Sequence, residues 1–140
     1  MGTTRTDYLQ KQVWDLGDTA VGMTSNIVDF STNITVASDV IQVLKIDAGM
    51  TVMEVFVEVL VVEDSTLTFT TGDGSDVDGW VASVNAESLG NTRSLFASDA
   101  YALITKTYAA ADTIDLALSA HVANTAKIRV TALVCRPKPA

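Results

Sequence analysis

The side chains able to do chemistry are few and scattered. His121 is the one histidine and Cys135 the one cysteine. Nucleophilic catalysis needs a base within hydrogen-bond reach of the nucleophile. Here the single imidazole lies in a Ser-Ala-His-Val-Ala-Asn turn between two strand-like runs, and no Gly-x-Ser-x-Gly elbow is present. One histidine and one cysteine also cannot close the four-ligand nitrogen and sulfur shell of zinc. No Gly-rich phosphate loop or strand-flanked dinucleotide fingerprint occurs. The expectation is a non-enzyme that carries no cofactor.

One acidic turn offers hard oxygen ligands. Gly72-Asp73-Gly74-Ser75-Asp76-Val77-Asp78-Gly79 presents Asp73, Asp76 and Asp78, a weak calcium candidate. Its spacing is not that of an EF-hand. With Asp76 and Asp78 at loop positions 3 and 5, position 1 falls on Gly74 and position 12 on Asn85. Asp and Gly are also the ordinary residues of tight turns. A turn is the expected role, and no metal is assigned.

The surrounding elements read as strands. Met50–Val62 is the clearest, with Met53, Val55, Val57, Val59 and Val61 apolar at every second position and Val52, Glu54, Phe56, Glu58, Leu60 and Val62 between them. Period 2 sends these sets to opposite faces of a sheet. The odd set is the expected core. The even set mixes two carboxylates with Phe56 and Leu60, a pattern that suits a subunit interface or a cover by the N-terminal segment. Further runs at Thr19–Thr24, Asn33–Ala37, Val40–Ile46, Thr66–Thr71, Trp80–Val84, Tyr101–Tyr108, Thr113–Ser119 and Lys127–Cys135 are broken by Gly, Asn, Asp and Ser. Two hairpins are expected, Met50–Val62 with Thr66–Thr71 and Tyr101–Tyr108 with Thr113–Ser119. The stretch 85–100 is irregular, with one helical turn near Ser94–Ala100.

About eight such strands without βαβ alternation mean an all-β fold, an antiparallel β-sandwich that we read as jelly-roll-like. Residues 1–18 read as an extended N-terminal arm, 19–136 as the sandwich and 137–140 as a C-terminal tail, where Pro137 and Pro139 stop pairing. On the arm, Tyr8, Leu9, Val13 and Trp14 are candidate anchors. They form the expected interaction set with Glu54, Phe56, Glu58 and Leu60.

Composition narrows the function classes. Hydrophobic residues are 48% and charged residues 19% of the 140, so some apolar surface is expected to face a partner. The net charge of -8 and the scattered basic residues argue against nucleic-acid binding. Glu54, Glu58, Glu63 and Asp64 interrupt the longest apolar stretch, so no membrane span is expected. The N-terminus lacks the pattern of a signal peptide. Gly2 with Thr6 fits a loose myristoylation pattern, but no basic patch follows to support a single acyl chain.

Three stretches carry a resemblance. They are Val43-Leu44-Lys45-Ile46-Asp47-Ala48-Gly49-Met50-Thr51-Val52, then Phe69-Thr70-Thr71-Gly72-Asp73-Gly74-Ser75-Asp76-Val77-Asp78-Gly79-Trp80, and Ala126-Lys127-Ile128-Arg129-Val130-Thr131-Ala132. Together they resemble the small jelly-roll or sandwich decoration (cement) and head proteins of tailed bacteriophages. The resemblance implies a structural virion protein, made in the host cytoplasm and placed on the capsid surface. It further implies a homotrimer bound to the major capsid protein, stabilising the head. The alternative is a carbohydrate- or receptor-binding sandwich of a phage tail or fibre, for which Trp80 beside the acidic turn is the supporting feature.

Overall fold

The computed structural model describes residues 2–5, 21–33, 35–96, 100–101 and 104–137. Among the described residues ten strands lie in two sheets: β1 (Thr4–Arg5), β2 (Val21–Asp29), β3 (Val40–Ile46), β4 (Thr51–Val61), β5 (Thr68–Gly72), β6 (Val81–Asn85), β7 (Gly90–Arg93), β8 (Lys106–Thr107), β9 (Asp112–Leu118) and β10 (Lys127–Cys135). A single 3-10 turn, Ser94–Phe96, follows β7, within the expected helical turn. One sheet runs β1-β3-β9-β5-β6, the other β2-β10-β4-β7 with β8 also on β4. All pairings are antiparallel except β1 on β3.

Setting aside the two-residue strands β1 and β8, the eight remaining strands alternate between sheets at nearly every connection. Only β5 and β6 are consecutive neighbours, joined across the acidic turn. This is the double Greek-key winding of a jelly roll. It also explains where the expected hairpins fail. Thr68–Gly72 pairs with β6 and β9, not with Met50–Val62. Among the described residues of the Tyr101–Tyr108 run only β8 forms a strand, and it pairs with β4, across the sandwich from β9. The described part of the Asn33–Ala37 run is turn, held by Thr35 to Ala123 through paired backbone and hydroxyl bonds.

The core lies between the sheets. From β2, β3 and β4 come Val28, Ile41, Leu44, Ile46, Val52, Val55 and Val57; from β5, β9 and β10 come Phe69, Ile114, Leu116, Ile128, Val130 and Val134. Each fully buried side chain of this kind contributes roughly 1.5–3 kcal/mol. The strict odd-position core expected for β4 is broken by bulges. Pairing with β10 slips between Leu133 and Val134 and again between Lys127 and Ile128. Each slip inserts an extra β4 residue and reverses the facing. Val52 is therefore core, Met53 is only partly buried and Val61 is exposed. Gly49, at φ 83°, makes the tight turn into β4, with its N–H donating to the Tyr108 carbonyl at 2.7 Å.

Candidate functional site

Two groups of residues stand out, one on the outer face of the β2-β10-β4-β7 sheet and one at the acidic turn. The sheet face is built from the outward positions of four strands. On β4, Glu54, Phe56 and Glu58 pair across to Leu133, Thr131 and Arg129 of β10, and these in turn to Met23, Ser25 and Ile27 of β2. β-Pleating aims all of them away from the core, because Val55, Val57, Ile128 and Val130 occupy the other side.

The two glutamates that posed a problem in the sequence are both paired within the chain. Arg93 of β7 grips Glu54 with a fork of two bonds, Nε to Oε1 at 2.7 Å and a terminal nitrogen to Oε2 at 2.8 Å. The same guanidinium lies over the Phe56 ring, 4.9 Å from its centre. Glu54 is only 3% exposed, and this arginine lid gives its buried oxygens a charged, two-bond partner. Arg129 holds Glu58 at 3.1 Å, Lys127 holds Asp29 at 2.8 Å, and Thr131 donates to Ser25 at 3.0 Å. Leu60 sits half-buried at the second bulge. The mixed face therefore satisfies its own charges. Tyr8, Leu9, Val13 and Trp14 lie outside the described residues.

Sequence reading missed the strongest apolar part of this face. Val21, Met23 and Ile27 on β2 are 59%, 65% and 42% exposed, beside half-buried Leu133. Their signal was legible: Val21, Met23, Ser25 and Ile27 alternate with inward Asn26 and Val28. The strand was expected to end at Thr24, which hid the pattern.

The acidic turn is organised from inside. Asp73 is 1% exposed, and its carboxylate accepts from Lys106 Nζ at 2.5 Å, the Tyr108 hydroxyl at 2.7 Å, and the N–H groups of Ser75 and Asp76 at 2.9 and 3.1 Å. Burial pushes the Asp73 carboxyl up, but the Lys106 and Tyr108 bonds outweigh it and hold it below its ordinary value. The Lys106 ammonium also lies over the Tyr101 and Tyr108 rings at 4.3 and 4.8 Å. Because β8 belongs to one sheet and the β5–β6 turn to the other, this pair ties the sheets together. Asp78 is exposed and Asp76 half-exposed. Among the described residues no group of three His, Cys, Asp or Glu is placed to hold a metal ion.

Trp80 is fully buried. Its Nε1 faces the Tyr108 hydroxyl at 3.3 Å and its ring meets Tyr101 edge-on at 5.1 Å. It offers no face for a sugar to stack on. His121 is exposed in the β9–β10 turn.

No protein-family model matches the chain, and no curated protein does. Solved structures do. A chain in the acidic stable capsid structure of Helicobacter pylori bacteriophage KHP30 matches with a TM-score of 0.61 at 12% identity, over 84% of this chain and 89% of that one. A chain in the capsid of Ralstonia phage GP4 gives 0.64 at 16%, over 93% and 92%. One in the capsid asymmetric unit of cyanophage Pam1 gives 0.61 at 16%, over 91% and 93%. At these identities the likeness is one of fold, and it spans nearly the whole chain.

Proposed function

We propose that the chain is a structural, non-enzymatic protein of a bacteriophage head, and within that class a decoration (cement) protein. In this reading it binds the major capsid protein on the shell surface, associates as a homotrimer and reinforces the head against the pressure of packaged DNA. The observation that carries the reading is the near full-length likeness of fold to chains from three phage capsid structures. A fold hosts many functions, so the surface matters too. The outer face of the β2-β10-β4-β7 sheet is neutralised by its own ion pairs and edged by exposed Val21, Met23 and Ile27, on a chain of net charge -8. A flat, locally neutral, half-apolar face suits packing against protein. We assign the contact surface to this face with the Glu54, Phe56, Glu58 and Leu60 strip, and to the Tyr8, Leu9, Val13 and Trp14 arm.

The test is mass spectrometry of purified, DNA-filled particles from the phage or prophage that encodes the chain. The expected result is a head component present in many copies. A mild guanidinium wash should release it, leave the shell closed and lower the temperature at which DNA escapes. Absence from the particles overturns the virion reading. Presence in tails alone overturns decoration and restores the fibre alternative.

A further inference from the structure

The N-terminal strand β1 is seated in a specific slot. The Val40 N–H donates to the Thr3 carbonyl at 2.9 Å, and the Thr3 N–H donates to Asp39 Oδ1 at 2.7 Å. Asp39 is fully buried, and its Oδ2 accepts the Val36 N–H at 3.1 Å. One carboxylate thus braces both the incoming strand and the turn that receives it. That turn is bent through Ser38 at φ 63°, a left-handed conformation that costs a non-glycine residue. Against it stands Gly2, where a Cβ would fall 1.6 Å from the Ser38 carbonyl oxygen and 2.1 Å from its carbon. Both are backbone atoms, so the slot admits only glycine.

Residues 2–5 cover the outer edge of β3, which would otherwise be an open template for pairing. They do so through a two-residue parallel ladder, Thr4 with Val40 and Arg5 with Ile41. Residues 6–20 connect them to β2. At about 3.3 Å per residue, that connection can reach on the order of 50 Å. A domain of this length has a radius of gyration of about 14 Å, so fifteen residues at full extension could span it. A main-chain slot does not distinguish its own strand from an identical one on a neighbour. Exchange loses no contact, and it links copies held close together.

We propose that the Ser38–Ile41 edge receives residues 2–5 of a second copy of this chain, so that neighbouring subunits exchange N-terminal strands. The inference rests on the reading of the chain as an oligomeric subunit and adds the element that joins the copies.

The test uses two differently tagged full-length chains in a Cys135→Ser background, one with Thr4→Cys and one with Val40→Cys. They are mixed in denaturant, refolded together and treated with a short bismaleimide. Exchange gives a crosslinked band carrying both tags. A single chain with both cysteines checks that the slot geometry permits the link. Light scattering that shows oligomers, with crosslinks only inside the doubly substituted chain, overturns exchange and leaves the oligomer reading standing. A monomer by light scattering overturns both. Gly2→Val should remove the two-tag band while the far-ultraviolet spectrum stays that of the β-sandwich. An undiminished band in that variant overturns the slot.

Discussion

Asp115 carries the sharpest quantitative prediction, because it is a carboxylate placed where charge is disfavoured. It lies on β9, 6% exposed, between Gln42 of β3 and Gly72 of β5. Burial pushes its carboxyl up to about 6 from the ordinary 3.8. The negative charges of Asp112 and Asp73 add to the rise, while the Thr113 hydroxyl, donating to Oδ1 at 2.6 Å, opposes it. A raised acid binds its proton more tightly in the folded state. Stability then falls as pH rises from about 4 through about 6, and it is flat above that window. The rise from 3.8 to about 6 corresponds to about 3 kcal/mol at neutral pH, at 1.36 kcal/mol per pH unit. Asp115→Asn keeps an acceptor for Thr113 and removes the charge. The variant should therefore be more stable than wild type by about 2–3 kcal/mol near pH 7.5 and by only about 1 kcal/mol near pH 4.5. Urea unfolding of both proteins across that range measures the difference directly. The lowered carboxyls, Glu63 and Asp73, change stability in the opposite sense and are common to both proteins, so they do not mimic the effect. A stability difference that does not change between pH 4.5 and 7.5 would refute the assignment.

Two further outcomes follow from buried carboxylates that are well satisfied. Glu63 Oε2 accepts the N–H groups of Asn124, Thr125 and Ala126 at 3.1, 3.1 and 3.0 Å, so it fixes the turn into β10. Burial pushes its carboxyl up, but these bonds prevail and hold it below 4.5. Glu63→Gln should cost about 1–3 kcal/mol near neutral pH. The gap should narrow as pH falls below 4.5 toward the depressed value, and guanidinium melts that show a constant gap down to about pH 3 would contradict this. Lys106→Met leaves Asp73 buried without its cation and should cost about 3 kcal/mol. Adding Asp73→Asn should recover part of that loss, and a double-mutant cycle of melting temperatures with no coupling would contradict the tie between Lys106 and Asp73.

The β character of the chain is a local property, and the sequence determined it. Valines at every second place from Val55 to Val59, and Ile128, Val130, Ala132 and Val134 in β10, can bury one face only as strands. The same local logic marked the Gly72–Gly79 turn and the Trp80–Val84 run that follows it. Tertiary structure alone decided which strands meet. Jelly-roll winding sends consecutive strands to opposite sheets, and no periodicity within a strand encodes its partner, so the two hairpins expected from proximity do not form. It also decided the fate of the charges. Glu54 and Glu58 looked unpaired because Arg93 and Arg129 lie far along the chain, and only the β7-β4-β10 ladder brings them together. The bulges that turn Val52 inward and Val61 outward arise from register with β10, a relation between two strands. The turn role expected for Asp73 held no hint of its cation for the same reason: Lys106 arrives from the opposite sheet.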